Sequence, residues 1–185
     1  MNKIFIEKCE EVFQFKNKKN IEEEELKNLQ IIIGRTLIEE HRYILANYSA
    51  VFLKEGYEIC SKYKSPMADE KGTEPFMYFL SLEGDDNIFY TYKMYKEQLP
   101  DSYYPIALAD GGNVICINDN SDNVYIWIHD DVQNGVYKIF DSLEQMILMI
   151  TKIEYEEEDF DEDEVEEIVL SDEFLTALNA IKKIK

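Results

Sequence analysis

Three groups of residues have the types and spacing that chemistry would need. The first is Asp110-Gly111-Gly112-Asn113. Paired glycines of this kind can cradle a phosphate, shape a metal loop or make a tight connection. No Gly-Lys-Ser or Gly-Lys-Thr follows, and the pattern is not GxGxxG. The flanks read strand–turn–strand, whereas a phosphate loop opens a helix. A turn is therefore the expected role, with anion binding or a partner-facing loop as the alternatives. The second group is Asp119, Ser121, Asn123 and Asp130, which stand at positions one, three, five and twelve of a calcium-loop pattern. The required glycine at position six is Val124, and no helix follows to complete a hand. The third is Asp159, Asp161 and Asp163, where Glu164 replaces the glycine and Leu170 takes the bidentate position.

The remaining reactive residues form no motif. His41 and His129 are far apart and belong to no HExxH. His129 sits beside Asp130 and Asp131, which makes no catalytic set. No serine lies in GxSxG, and the three cysteines form neither CxxC nor a disulfide framework. Carboxylate pairs are so frequent that none marks a glycosidase. A hydrolase using carboxylates and a divalent cation has no motif meeting its geometric demands. The expectation is a protein that is not an enzyme and takes no cofactor or metal.

The charge points to macromolecular partners. The chain has 185 residues, with 39 acidic against 19 basic and a formal charge of -20. Such a field repels nucleic acid and anionic membranes and attracts basic surfaces. It is unevenly spread: Glu154–Glu173 holds thirteen acidic residues and no Lys or Arg, and without it the balance is 26 to 19, or -7. Hydrophobic residues make up 45%, enough for a real core. No signal peptide is apparent, and the apolar run Met146–Ile150 is far too short to cross a bilayer. Widely spaced, odd-numbered cysteines suit a reduced cytoplasmic chain.

The elements that would position these residues fall into two kinds. Helices are predicted over Ile4–Phe15, with Phe5, Cys9, Val12 and Phe13 inward, and from about Ile21 to Gly34, with Leu26, Leu29, Ile32 and Ile33 inward. A third is predicted to begin at Thr36 in a capping box with Glu39. A fourth is favoured in the stretch from Asp85 to Pro100, where Ile88, Tyr92 and Tyr95 have helical spacing, Asp85 or Asp86 can cap it and Pro100 lies beyond its end, while the aromatic content also fits a strand. A fifth follows Asp141–Ser142 and runs on to Tyr155, and a last one spans Ser171–Lys183. Strands are predicted at Tyr57–Cys60, Phe76–Glu83, Ile106–Ala109, Val114–Ile117, Val124–His129 and Gly135–Phe140. Short links make successive strands antiparallel. In Val124–His129 one face is aliphatic (Val124, Ile126, Ile128). The other carries Tyr125, Trp127 and His129. That second face is either covered by a helix or partly open to a protein partner.

The order Pro105-Ile106-Ala107, Gly111-Gly112-Asn113, Val114–Ile117 with Asn118-Asp119, then Trp127 with His129-Asp130, and later Phe140 and Leu143, resembles the SMI1/KNR4 family of the SUKH superfamily. The resemblance extends over residues 21–152. The chain has Leu37-Ile38 where members often have Leu-Pro, and Asn47–Ala50 where an Asn-Gly is common.

The resemblance implies an α+β fold: residues 1–153 form a single domain with a central, largely antiparallel sheet flanked by helices. Residues 154–185 add an acidic helical extension. Bacterial members resemble immunity proteins that neutralise toxins, often nucleases, while fungal relatives are regulatory. The expected partner is thus a cognate toxin domain of basic charge, with no direct contact to nucleic acid or membrane. The alternative is a nonenzymatic regulatory or scaffold module. Candidate partner-binding residues are Asp119, Asp122, Tyr125, Trp127, His129, Asp130 and Asp131. Glu156, Glu157, Glu158, Asp159 and Asp161 of the acid run join them.

Overall fold

A computed structural model describes residues 1–14, 21–48, 51–84, 87–132 and 135–153. The acidic run, its candidate residues and the helix expected at Ser171–Lys183 lie outside the described residues. The fold is α+β, with a central antiparallel sheet flanked by helices.

The helical layer starts with α1 (Lys3–Val12), capped by the Asn2 side chain, which accepts from the Ile4 amide. Phe5, Cys9, Val12 and the following Phe13 are buried, as their spacing requires. Helix α2 (Glu23–Ile33) opens where Glu25 turns back to accept the Glu22 amide at 3.1 Å. Its carboxylates lie in the first turn, where the helix dipole favours them. Gly34 ends the helix in the left-handed region at φ 74°, a conformation that glycine adopts without Cβ strain. Leu26, Leu29 and Ile33 face inward, but Ile32, expected with them, is exposed.

Helix α3 (Glu39–Asn47) begins two residues later than predicted. Its N-cap is Ile38, and no side chain caps it. Thr36 instead sits in the connection, where Gln30 Oε1 takes the Leu37 amide at 2.9 Å. Helix α4 (Ile88–Tyr95) is capped by Asn87, which accepts from the Tyr90 amide at 2.9 Å; Asp85 and Asp86, the expected caps, lie outside the described residues.

Five strands form the sheet in the order β2-β3-β4-β5-β6: β2 (Tyr78–Phe79), β3 (Tyr103–Leu108), β4 (Val114–Asn118), β5 (Val124–Trp127) and β6 (Val136–Phe140). All pairs are antiparallel. Strand β3 begins earlier than predicted because a bulge at Pro105–Ala107 absorbs the proline, which cannot donate to a ladder. Strand β4 is buried along its whole length. Ile115 and Ile117 join the main core with Ile106, Val124 and Ile126, under the helices. Val114 and Cys116 face the other way, into a smaller cluster with Leu99 and Trp127.

Both sheet edges are covered in part. Val51 pairs with Phe79 beyond β2, and Phe13 pairs with Leu53 beyond that. At β6 the amides of Lys62 and Tyr63 both donate to the Ile139 carbonyl at 3.1 Å. Such covering removes a template for unwanted strand pairing.

Helix α5 (Leu143–Leu148) is capped by Ser142, which accepts from Gln145. It stops short of the predicted length. Ile150–Lys152 forms β7, which pairs antiparallel with β1 (Tyr57–Ile59) as a separate two-stranded sheet. The β-branched pair Ile150-Thr151 favours this extended backbone. Among the described residues no helix is long and apolar enough to cross a membrane.

Candidate functional site

The β4–β5 loop carries two predicted partner-binding carboxylates, and the structure ties both to a residue that the sequence did not single out. Arg35, just past Gly34, donates from one guanidinium nitrogen to Asp119 at 2.7 Å and from another to Asp122 at 2.6 Å. Asn118 organises the loop by accepting from the Asn120 amide and the Ser121 hydroxyl. Asp122 adopts φ 55°, which a short polar side chain tolerates. A guanidinium therefore occupies the ground between the two carboxylates where a cation ligand set would have to converge. Asp130, position twelve of the calcium pattern, lies beyond the far end of β5, about 13 Å of strand away.

Behind Arg35 the network runs into the core. Its guanidinium stacks over the Tyr104 ring at 5.1 Å, a favourable cation–π arrangement. The Tyr104 hydroxyl lies 3.2 Å from His41 Nδ1. His41 is fully buried, and its Nε2 has no hydrogen-bond partner. Burial, with help from nearby Arg35, lowers its pKa to about 3, so the ring is neutral at ordinary pH. Burial likewise raises the Tyr104 hydroxyl. The signal for His41 was present: Leu37, His41, Ile44 and Tyr48 share helical spacing, and all four are buried.

At the other end of the sheet, Asp110–Gly112 forms a 3₁₀ turn. Gly111 and Gly112 sit at φ 73° and 82°. Gly112 also packs against His129, whose ring lies 3.6 Å from where a Cβ would be. The buried Asn113 side chain does most of the fastening. It donates to the Asp110 carbonyl at 2.9 Å and accepts the His129 amide at 3.2 Å, and the same oxygen is 3.2 Å from His129 Nδ1. The turn thus serves the fold by locking β3–β4 to the end of β5. Asn113→Ala is expected to lower stability by about 1–3 kcal/mol by leaving buried groups unpaired, measured as a shift in the urea midpoint.

The predicted aromatic face divides. Trp127 is buried, packed edge-on against Tyr95 at 5.5 Å, so the end of α4 and Leu99 cover it, as in the helix-packing alternative. Tyr125 stays half-exposed in a T-shaped pair with Tyr103 at 5.1 Å. His129 Nε2 lies 3.0 Å from Asp130, whose side chain is otherwise open to solvent. Asp131 accepts from the Tyr137 hydroxyl. A further charged cluster escaped the sequence reading. Asp141 holds Lys138 and Lys62, and hydrogen bonds from Lys138 and then Lys62 keep its carboxyl well below the usual range. Two thiols are inert in character: burial pushes Cys9 up to about 12 and Cys116 higher still. Among the described residues, no group of three His, Cys, Asp or Glu side chains is placed to hold a metal ion.

The chain is 26% identical over 167 residues to the SPbeta prophage-derived uncharacterized protein YokK of Bacillus subtilis (strain 168), covering 83% of this chain and 86% of that one. No solved structure matches it significantly. Residues 20–149, from the start of α2 to the end of α5, match the SMI1 / KNR4 family (SUKH-1). The chain belongs to that family.

Proposed function

We propose that this protein is an immunity protein that binds a cognate bacterial toxin and blocks it by covering its working surface. The observation that carries the reading is family membership over most of the chain. The strong negative charge supports a basic target, such as a nuclease whose groove must attract nucleic acid. The side chains with chemical potential are also engaged in the fold: Arg35 holds Asp119 and Asp122, Asn113 holds His129, and two thiols are buried. The protein acts as a ligand and not as a catalyst, in the cytoplasm where a toxin's target lies.

Coexpression with a candidate toxin from a neighbouring gene tests the proposal. Survival of the cells and copurification of the pair are expected. Death of the cells, or no complex, rejects it and favours a regulatory module. Within this reading, reversing the charges of Glu156, Glu157, Glu158 and Asp159 is expected to slow association and flatten its salt dependence, as stopped-flow mixing at several salt concentrations would show. Unchanged association at low salt would remove the acidic run from the mechanism.

A further inference from the structure

We propose that Arg35 is a latch: it holds the β4–β5 loop shut against the α2–α3 connection, and the two segments open together as one local unit. The device belongs to the fold and stands whether or not the chain blocks a toxin.

Two side-chain bonds carry the latch. The Arg35 guanidinium donates to Asp119 at 2.7 Å and to Asp122 at 2.6 Å, across 84 and 87 positions of the chain. Hydrogen bonds with charge on both partners are the strong ones. Only 13% of the arginine side chain is open to the solvent that would screen them. Arg35 is also anchored on its own side. Its amide donates to the Gln30 carbonyl at 3.1 Å, its Nε donates to the Thr36 carbonyl at 3.2 Å, and its guanidinium rests on the Tyr104 ring. A displacement of the loop is therefore passed to the end of α2.

A spring works against the latch. Among the described residues, the positions with both a side chain and a positive φ are Ser102 at 74° and Asp122 at 55°. Both belong to this end of the sheet. The Ser102 carbonyl accepts the Asp119 amide at 2.7 Å, and Asp122 is itself a latch carboxylate. Aspartate tolerates the left-handed region better than serine, and such conformations persist where the surroundings impose them. Release of the guanidinium removes that constraint. The latch also has room to open. Arg35 follows Gly34, where nothing lies within 4 Å of the missing Cβ, and it lines an open recess of about 540 Å³. The side chain can swing into that space without displacing packed atoms. Closed, the loop has both carboxylates bound to Arg35; open, it presents them free.

Amide hydrogen exchange of the full chain, read residue by residue by NMR in low concentrations of urea, tests the latch. The amides of Arg35 and Leu37 on one side, and of Asp119 and Asp122 on the other, are expected to share one opening free energy and one urea dependence. Both should be smaller than those of β4 at the centre of the sheet. Asp119→Asn with Asp122→Asn keeps the size of the two side chains and removes their charge. It is expected to speed exchange at all four amides by a common factor of about 10. The Gly72 amide, which donates to the Asp69 carbonyl in a loop tied down elsewhere, should be unaffected. Acceleration at Asp119 and Asp122 alone, or no acceleration at all, overturns the proposal. Acceleration that includes Gly72 marks a general loosening and also overturns it. Should the double variant fail to fold, the wild-type chain decides: different opening energies on the two sides mean that the segments move independently.

Discussion

Phe79→Ala is expected to destabilise the protein by about 3–5 kcal/mol, the range for losing a fully buried phenylalanine. Phe79 has no exposed surface. Its ring meets Phe13 edge-on at 5.7 Å and Phe76 at 5.1 Å. Its backbone exchanges hydrogen bonds with Val51 on one side and pairs with Ala107 on the other. The small Ala107 leaves room on the same face for the large ring. The ring therefore joins the end of α1 to the sheet, while the backbone of the same residue holds Val51. Set against a typical total of about 5–15 kcal/mol, the loss is a large share. Urea unfolding should show a lower midpoint with an unchanged slope. Phe79→Leu should fall between the two. A loss below about 1 kcal/mol for Phe79→Ala would mean that Phe13 and Phe76 close the gap, contrary to a rigid packed core.

His41 governs the acid side of stability. Its folded pKa, about 3, lies below the ordinary 6.5. Above pH 6.5 the ring is neutral in both states and the folded chain has its full stability. As pH falls below 6.5 the unfolded chain gains a proton that the folded chain refuses. Stability then drops by about 1.4 kcal/mol per pH unit until the folded value is reached, on the order of 5 kcal/mol in all. Asp141 is also held low, but a carboxylate adds its loss only nearer pH 4. The window from pH 6.5 to 4.5 therefore belongs mainly to the histidine. His41→Leu should flatten that slope, and so should His41→Leu with Tyr104→Phe. The single variant should be less stable than the double at neutral pH, because it strands the buried Tyr104 hydroxyl. Chemical denaturation at half-unit pH steps would show this. An equal slope in wild type and variants would mean that the unpaired Nε2 takes a proton inside the fold.

Periodicity made much of this architecture legible. The inward sets Phe5-Cys9-Val12 and Leu26-Leu29-Ile33 follow from 3.6-residue spacing. The four strands β3 to β6 follow from short β-favouring runs separated by Asp, Asn and Gly. What the spacing could not show depends on residues distant in the chain. Ile150–Lys152 reads as a helix continuing from Leu143 until β1, more than ninety residues earlier, offers a pairing edge. Ile32 fits the apolar stripe by count, but the helix axis turns it outward. Asp119 and Asp122 read as free negative charge because their guanidinium partner lies 84 and 87 positions away. Trp127 reads as a possible contact residue because Tyr95, which covers it, belongs to a segment whose aromatic pattern fits strand as well as helix.

The pairing of β1 with β7 has a mechanical consequence. Three residues on each side form this clasp, and the Ile153 amide closes it on the Gly56 carbonyl at 2.9 Å. The chain leaves the described fold at this point. A pull applied through the residues beyond it would load the clasp from one end, opening its rungs in turn like a zip. The five-stranded sheet and its helices share no rung with the clasp. Tension would therefore meet the Lys152–Tyr57 rung first and reach the main core only at the Ile150–Ile59 rung, whose side chains are buried in it.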